Sequence, residues 1–110
     1  MAGWFELSKA SDGKFHFVLK AGNAETILTS QLYTAKTSAE GGIAAVRANC
    51  QSDDQYEKAT ASNGKPYFNL KAANGQVIGT SQMYASESAR DSGIASVKSN
   101  GLSETVKDNS

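Results

Sequence analysis

A chain of 110 residues suits one compact domain, or two small halves that share a core. Its 39% hydrophobic and 20% charged content is ordinary for a globular protein, and eleven Lys plus Arg balance eleven Asp plus Glu. That balance leaves no net positive field to gather nucleic acid or anionic lipid, and the single cysteine excludes an intrachain disulfide.

The opening stretch, MAGWFELSKA, has no basic segment ahead of an apolar run, so a secretory signal is not expected. Ala2 does not fit the N-myristoylation pattern, and no run approaches the roughly 18 apolar residues of a membrane span. The expectation is a cytoplasmic protein with no membrane partner.

Within WFELSKA, Phe5 and Leu7 alternate with Trp4, Glu6 and Ser8, the period of two that marks a strand. It ends at SDG (residues 11–13), where Asp-Gly favours the positive φ of a tight hairpin turn. The next strand, KFHFVLKA, sets Phe15, Phe17 and Leu19 against His16, Val18 and Lys20. A second turn at AGNA leads to a short strand, ETILT, and then to the polar phrase SQLY. From TSAEGGIAAVRANC onward the period becomes helical, with Ala39, Ile43, Val46 and Cys50 on one stripe. Thr37 and Glu40 are spaced as a capping box and predict the helix start there.

After the polar linker QSDDQ (residues 51–55) the same signals return in the same order. Shifting the chain by 51 positions aligns residues 4–49 with 55–100 without a gap, with about 20 identities in about 46 pairs. Average composition would give roughly three. The second copy reads YEKATA, a turn at SNG, KPYFNLKA, a turn at ANGQ, QVIGT, SQMY and a helix. Pro66 lacks an N–H and belongs at a strand start or an edge. Ser88 and Asp91 repeat the capping-box spacing with a shorter acid. Gly42 and Gly93 occupy the same helical step, where glycine costs about 1 kcal/mol against alanine, and predict a close backbone approach, helix against sheet or helix against helix. A last β-compatible stretch around residues 105–107 reads as a closing strand that crosses to the other half.

The expected architecture is α+β: two tandem β-β-β-α(-β) repeats, 1–54 and 55–110, forming one sheet and core with internal pseudo-twofold symmetry. A unit of this size buries too thin a core to stand alone, so the expectation is a monomer that is its own pseudo-dimer.

Candidate chemistry is sparse. His16 is matched by Tyr67 and Cys50 by Gly101, and no metal-ligand spacing occurs, so no catalytic, cofactor-binding or metal residues are assigned. A small enzyme using Cys50 or His16 is the rival reading. DGK and NGK are explained by hairpins, since the full phosphate-loop spacing is absent. Glu6 and Glu57 form an acidic pair identical in both halves and read as exposed strand positions near lysines.

Two repeated polar sets are the candidates for binding. Ser30, Gln31 and Tyr33, with Ser81, Gln82 and Tyr84, could line a groove for a small polar ligand or a peptide. Their other role is to join strand to helix, with the hydroxyls and amides bonding turn groups while the tyrosine ring packs. Lys20, Asn23, Lys71 and Asn74 form a second polar patch. With Trp4, His16 or Tyr67 it could contact single-stranded nucleic acid, a reading that the zero net charge disfavours. The leading expectation is a non-enzymatic binding or interaction module.

Through GWFELSK, FHFVLKAGN, ILTSQLYTAK, PYFNLKAAN, IGTSQMYAS and GIASVKSNG, the chain resembles the YegP family of small bacterial proteins, a group with a domain of unknown function. The resemblance spans nearly the whole chain. It implies two β-β-β-α-β motifs that exchange their C-terminal strands, and relatives with a single motif that pair as dimers. It brings no catalytic residues to carry over.

Overall fold

The computed structural model describes residues 3–109, so the expectations drawn from Met1 and Ala2, and the outer ends of both repeats, lie outside the described residues. In chain order the elements are β1 (Trp4–Lys9), β2 (Phe15–Lys20), β3 (Thr26–Ser30), α1 (Lys36–Asn49), a 3₁₀ turn (Asp53–Gln55), β4 (Tyr56–Thr60), β5 (Pro66–Lys71), β6 (Val77–Thr80), α2 (Glu87–Asn100) and β7 (Val106–Asp108). The strands form one sheet in the order β4-β5-β6-β3-β2-β1-β7. Every pair is antiparallel except β1 with β7, so the closing strand crosses to the edge of the first repeat.

The two halves meet where β3 pairs with β6. Thr29 lies opposite Thr80, its own counterpart in the repeat, and this places the pseudo-twofold axis between them. Gly13 and Gly64 take positive φ in the hairpin turns, as Asp-Gly and Asn-Gly require. The third strands depart from strict alternation. A register shift between Leu19 and Lys20 turns both Ile27 and Leu28 inward, and a matching shift between Leu70 and Lys71 does so for Ile78 and Gly79.

One face of the sheet carries Phe5, Leu7, Phe17, Leu19, Leu28, Phe68 and Leu70, all buried under the helices. Ala39, Ile43, Val46 and Cys50 of the first helical stripe complete the core, as their spacing predicts. Each helix bridges the halves: α1 touches β2 but also β5 and β6, and α2 touches β5 but also β2 and β3. The core is therefore shared.

Both helices begin earlier than the capping boxes predict. The N-cap positions are Ala35 and Ser86, so Thr37 and Ser88 stand inside the first turn. Ser86 accepts a hydrogen bond from the Ala89 amide at 3.1 Å, whereas Ala35 has no side chain that can accept one. The chain arrives extended from the Tyr33 and Tyr84 segments, and that arrival fixes the helix entry ahead of the box.

Candidate functional site

Each serine of the polar phrase first repairs its own sheet. Ser30 Oγ accepts the Phe17 amide at 2.8 Å and donates to the Gln31 carbonyl at 2.8 Å. Ser81 repeats both contacts, with the Phe68 amide at 3.0 Å and the Gln82 carbonyl at 2.8 Å. At this point the neighbouring strand has diverged, and a hydroxyl takes the place of a main-chain carbonyl. Main-chain bonds then fix the tyrosines. Tyr33 exchanges two with Phe15, both at 2.7 Å, while Tyr84 makes only one, to the Pro66 carbonyl, because Pro66 has no N–H to return.

The tyrosine rings lie parallel to the core phenylalanines. Tyr33 stacks with Phe17 at 6.4 Å between centroids and Tyr84 with Phe68 at 6.3 Å. Their hydroxyls end beneath the helical glycines: a Cβ on Gly42 would lie 2.5 Å from Tyr33 Oη, and one on Gly93 would lie 2.2 Å from Tyr84 Oη. A close approach does occur at these glycines, but it is made to the hydroxyl end of a tyrosine side chain and not to the backbone that their shared position predicts. Burial raises the pKa of both phenols, so they stay protonated donors across the neutral range.

Gln31 and Tyr33, with Gly42 and Ala45 of α1, form one wall of a cleft of about 650 Å³. The opposite wall comes from the other repeat, with Asn74, Gln76, Val77 and Ile78 around the β5–β6 turn. A second, smaller cleft of about 210 Å³ stands in the pseudo-equivalent place, where Gln82 and Tyr84 face Asn23, Glu25 and Ile27. The two candidate sets are thus joined crosswise, the glutamine and tyrosine of one half with the asparagine of the other. Asn23 and Asn74 also hold their turns, accepting the amides of Glu25 at 3.1 Å and Gln76 at 3.0 Å.

Lys20 and Lys71 do not line either cleft. They sit on the open face of the sheet, Lys20 3.6 Å from Glu6 and Lys71 2.9 Å from Glu57. The Trp4 indole N–H also donates to Glu6 at 2.7 Å, and Asn69 donates to Glu57 at 3.1 Å. These contacts hold both carboxyls below the ordinary glutamate range, led by Trp4 for Glu6 and by Lys71 for Glu57. The repeated acidic pair therefore neutralises the repeated lysines.

Cys50 is fully buried at the end of α1, and burial raises its thiol pKa, the opposite of what a nucleophile needs. Its sulfur would lie 2.8 Å from a Cβ built on Gly101, its counterpart in the repeat. No group of His, Cys, Asp and Glu that could hold a metal ion occurs among the described residues. Among them, no helix is long and apolar enough to cross a membrane.

Sequence reasoning found Gln31, Tyr33, Gln82, Tyr84, Asn23 and Asn74 as repeated polar residues. It missed the walls supplied by Gln76, Val77 and Ala45, whose counterparts Glu25, Thr26 and Ser96 are different residues. Only the crossing of α1 to the second repeat brings them together, and a one-dimensional period carries no sign of that crossing.

A tandem α+β repeat with one shared sheet and two crosswise clefts defines the structural class. The family model described as a domain of unknown function (DUF1508) matches the chain twice, over residues 10–57 and 61–108, and the chain belongs to that family. It is 72% identical over 109 residues to the UPF0339 protein YegP of Escherichia coli, covering 99% of each chain. A UPF0339 protein of Acinetobacter baylyi is 66% identical over 108 residues, with 98% of this chain and 97% of that one covered. The solution NMR structure of the E. coli protein of unknown function yegP matches with a TM-score of 0.95 at 72% identity, over 99% of this chain and 94% of that one. The UPF0339 protein of Shewanella oneidensis, also solved by NMR, matches with a TM-score of 0.93 at 60% identity, over 98% and 92%. The fold is that of the family.

Proposed function

We propose that this protein is a non-enzymatic binding module whose ligand site is the larger cleft between the repeats. The observation that carries the reading is the crosswise assembly of Gln31 and Tyr33 with Asn74 and Gln76 around a space of about 650 Å³. That volume falls in the range of small-molecule sites, roughly 300–1,000 Å³, and the pseudo-equivalent cleft falls below it. The cleft is lined by carboxamides, a phenol and short aliphatic side chains, with no charged residue. The Tyr33 ring is occupied by Phe17, so the cleft offers no aromatic platform for a base or a sugar. An uncharged ligand with amide groups and one aliphatic group matches this lining, as carboxamides pair with amides edge to edge.

The test is an amide-resolved NMR titration with N-acetyl-leucinamide at millimolar concentration. Shifts centred on Gln31, Tyr33, Asn74 and Gln76, lost when Ala45→Trp fills the cleft, are the expected result. Shifts elsewhere, or shifts that persist in that variant, would overturn it. We further propose that the protein works in the cytoplasm as a monomer, with 1–54 and 55–110 as halves of one folding unit.

A further inference from the structure

The two edges of the sheet are not treated alike. On the first-repeat side, β7 lies parallel to β1, with Val106 opposite Phe5, Lys107 opposite Glu6 and Asp108 opposite Leu7. The Phe5 amide donates to the Thr105 carbonyl at 3.0 Å, and the Asn109 amide donates to the Leu7 carbonyl at 2.7 Å. Helix α1 grips the same segment: Arg47 Nε donates to the Ser103 carbonyl at 2.8 Å, and Lys36 pairs with Asp108. Lys107 lies 4.3 Å from the Trp4 ring centroid, on the Glu6 side of the strand.

On the other side, β4 is the last strand, and no described residue pairs with its outer edge. The Tyr56 amide is taken by the Asp53 carbonyl of the 3₁₀ turn. By the alternation of an antiparallel ladder, Ala61, which bonds Lys65, faces inward, so the Tyr56 carbonyl and both main-chain groups of Lys58 face outward. Beside this edge runs a groove of about 490 Å³ between β4 and α2, bordered by Asp53, Tyr56, Lys58, Asp91, Ile94 and Lys98. Four of these stand at the repeat positions of Phe5, Leu7, Ile43 and Arg47; of those, Phe5 and Leu7 lie opposite Val106 and Asp108, and Arg47 holds Ser103. The Lys58 side chain leans onto α2 through its ion pair with Asp91 at 3.3 Å.

We propose that the β4 edge and this groove are a docking site for an extended segment of another protein, added parallel to β4 as β7 is added to β1. Main-chain bonds would run from the Tyr56 carbonyl and Lys58, the mode by which exposed sheet edges take up a peptide strand. The occupant carries an apolar, β-branched residue opposite Tyr56 and a basic residue opposite Glu57, copying Val106 and Lys107 opposite Phe5 and Glu6. The choice of a basic residue follows the first half, where Glu6 has Lys107 beside it as well as Lys20, whereas Glu57 at the corresponding place has Lys71 alone among the lysines. Asp53 is already paired with Lys98. The chain's own C-terminal strand is already held at β1 by Lys36 and Arg47, so the occupant comes from a different protein.

The probe is an acetylated and amidated peptide, SETVKDN, titrated into the isotopically labelled full chain. The expected result is amide shifts confined to β4 and the facing side of α2, with β7 undisturbed on β1. Methylating the peptide nitrogen of its lysine removes an inward-facing donor and abolishes these shifts, whereas methylating that of its valine, which faces solvent, leaves them. Exchanging the lysine for glutamate weakens binding several-fold. Equal binding by both methylated peptides, shifts at β1 with release of β7, or no shift at β4 at millimolar peptide would overturn the proposal. So would concentration-dependent shifts of β4 without peptide, which would make the occupant a second copy of this chain.

Discussion

Residue by residue, the two halves have solved the same local problems unequally. Ala24 takes φ of 71° in the β2–β3 turn, and its counterpart Gly75 takes 85°. A side chain in the left-handed region costs roughly 1–2 kcal/mol, and glycine there does not bear that cost. At the helix starts the same inequality recurs, Ser86 capping its helix while Ala35 leaves the corresponding amides without a side-chain acceptor. Copying the better residue across should therefore stabilise the chain. Ala24→Gly and Ala35→Ser are each expected to add about 1 kcal/mol by denaturant unfolding, and Gly75→Ala to remove a similar amount. The first two sites share no contact, so their effects should add. A neutral Ala24→Gly would mean that the turn relaxes around its alanine at no cost.

At the scale of elements, strands and turns were legible because each carries its own periodic or turn signal. Phe5 and Leu7 against Glu6, and Asp12-Gly13 between two such runs, need only nearest neighbours to be read. The helix starts differ from the capping-box expectation because the spacing at Thr37 and Ser88 competes with tertiary anchoring of Tyr33 and Tyr84 four residues earlier. The cleft was half legible: the period exposed its polar residues, but not which repeat each would face. The open sheet face supplies its own prediction. Glu6 and Glu57 are held below the ordinary glutamate pKa in the folded chain by Trp4 and Lys20, and by Lys71 and Asn69. A carboxyl with a depressed folded pKa adds stability above its unfolded pKa, and that stability is lost as pH falls through the folded value. Thermal stability should thus hold from neutral pH down to about 5 and decline below the usual glutamate value of 4.5. Glu6→Gln and Glu57→Gln should each flatten the decline, and melting curves of the double variant with an unchanged acid slope would assign it to other carboxyls.

For the whole molecule, the decisive residues are those next to the pseudo-twofold axis, where a position meets its own counterpart. Leu28 approaches Gly79: a Cβ there would lie 2.9 Å from Leu28 Cγ. Cys50 approaches Gly101 in the same way at the helix ends. In each pair one side chain fills a space that cannot hold two. Gly79→Leu should destabilise by about 1–3 kcal/mol through overpacking. Adding Leu28→Gly removes the side-chain clash but leaves the Thr29 carbonyl 2.9 Å from a Cβ at position 79, so only part of the loss should be recovered. A double variant no better than the single would show that the seam is not shaped by the leucine.

These unequal pairs also record a step that cannot easily be retraced. Two first halves brought together would set leucine against leucine and cysteine against cysteine, while two second halves would leave both spaces empty. A chain composed of two linked copies can specialise at its centre in a way that a pair of identical, separate subunits never can. At these two contacts each half is shaped to meet the other and not a copy of itself.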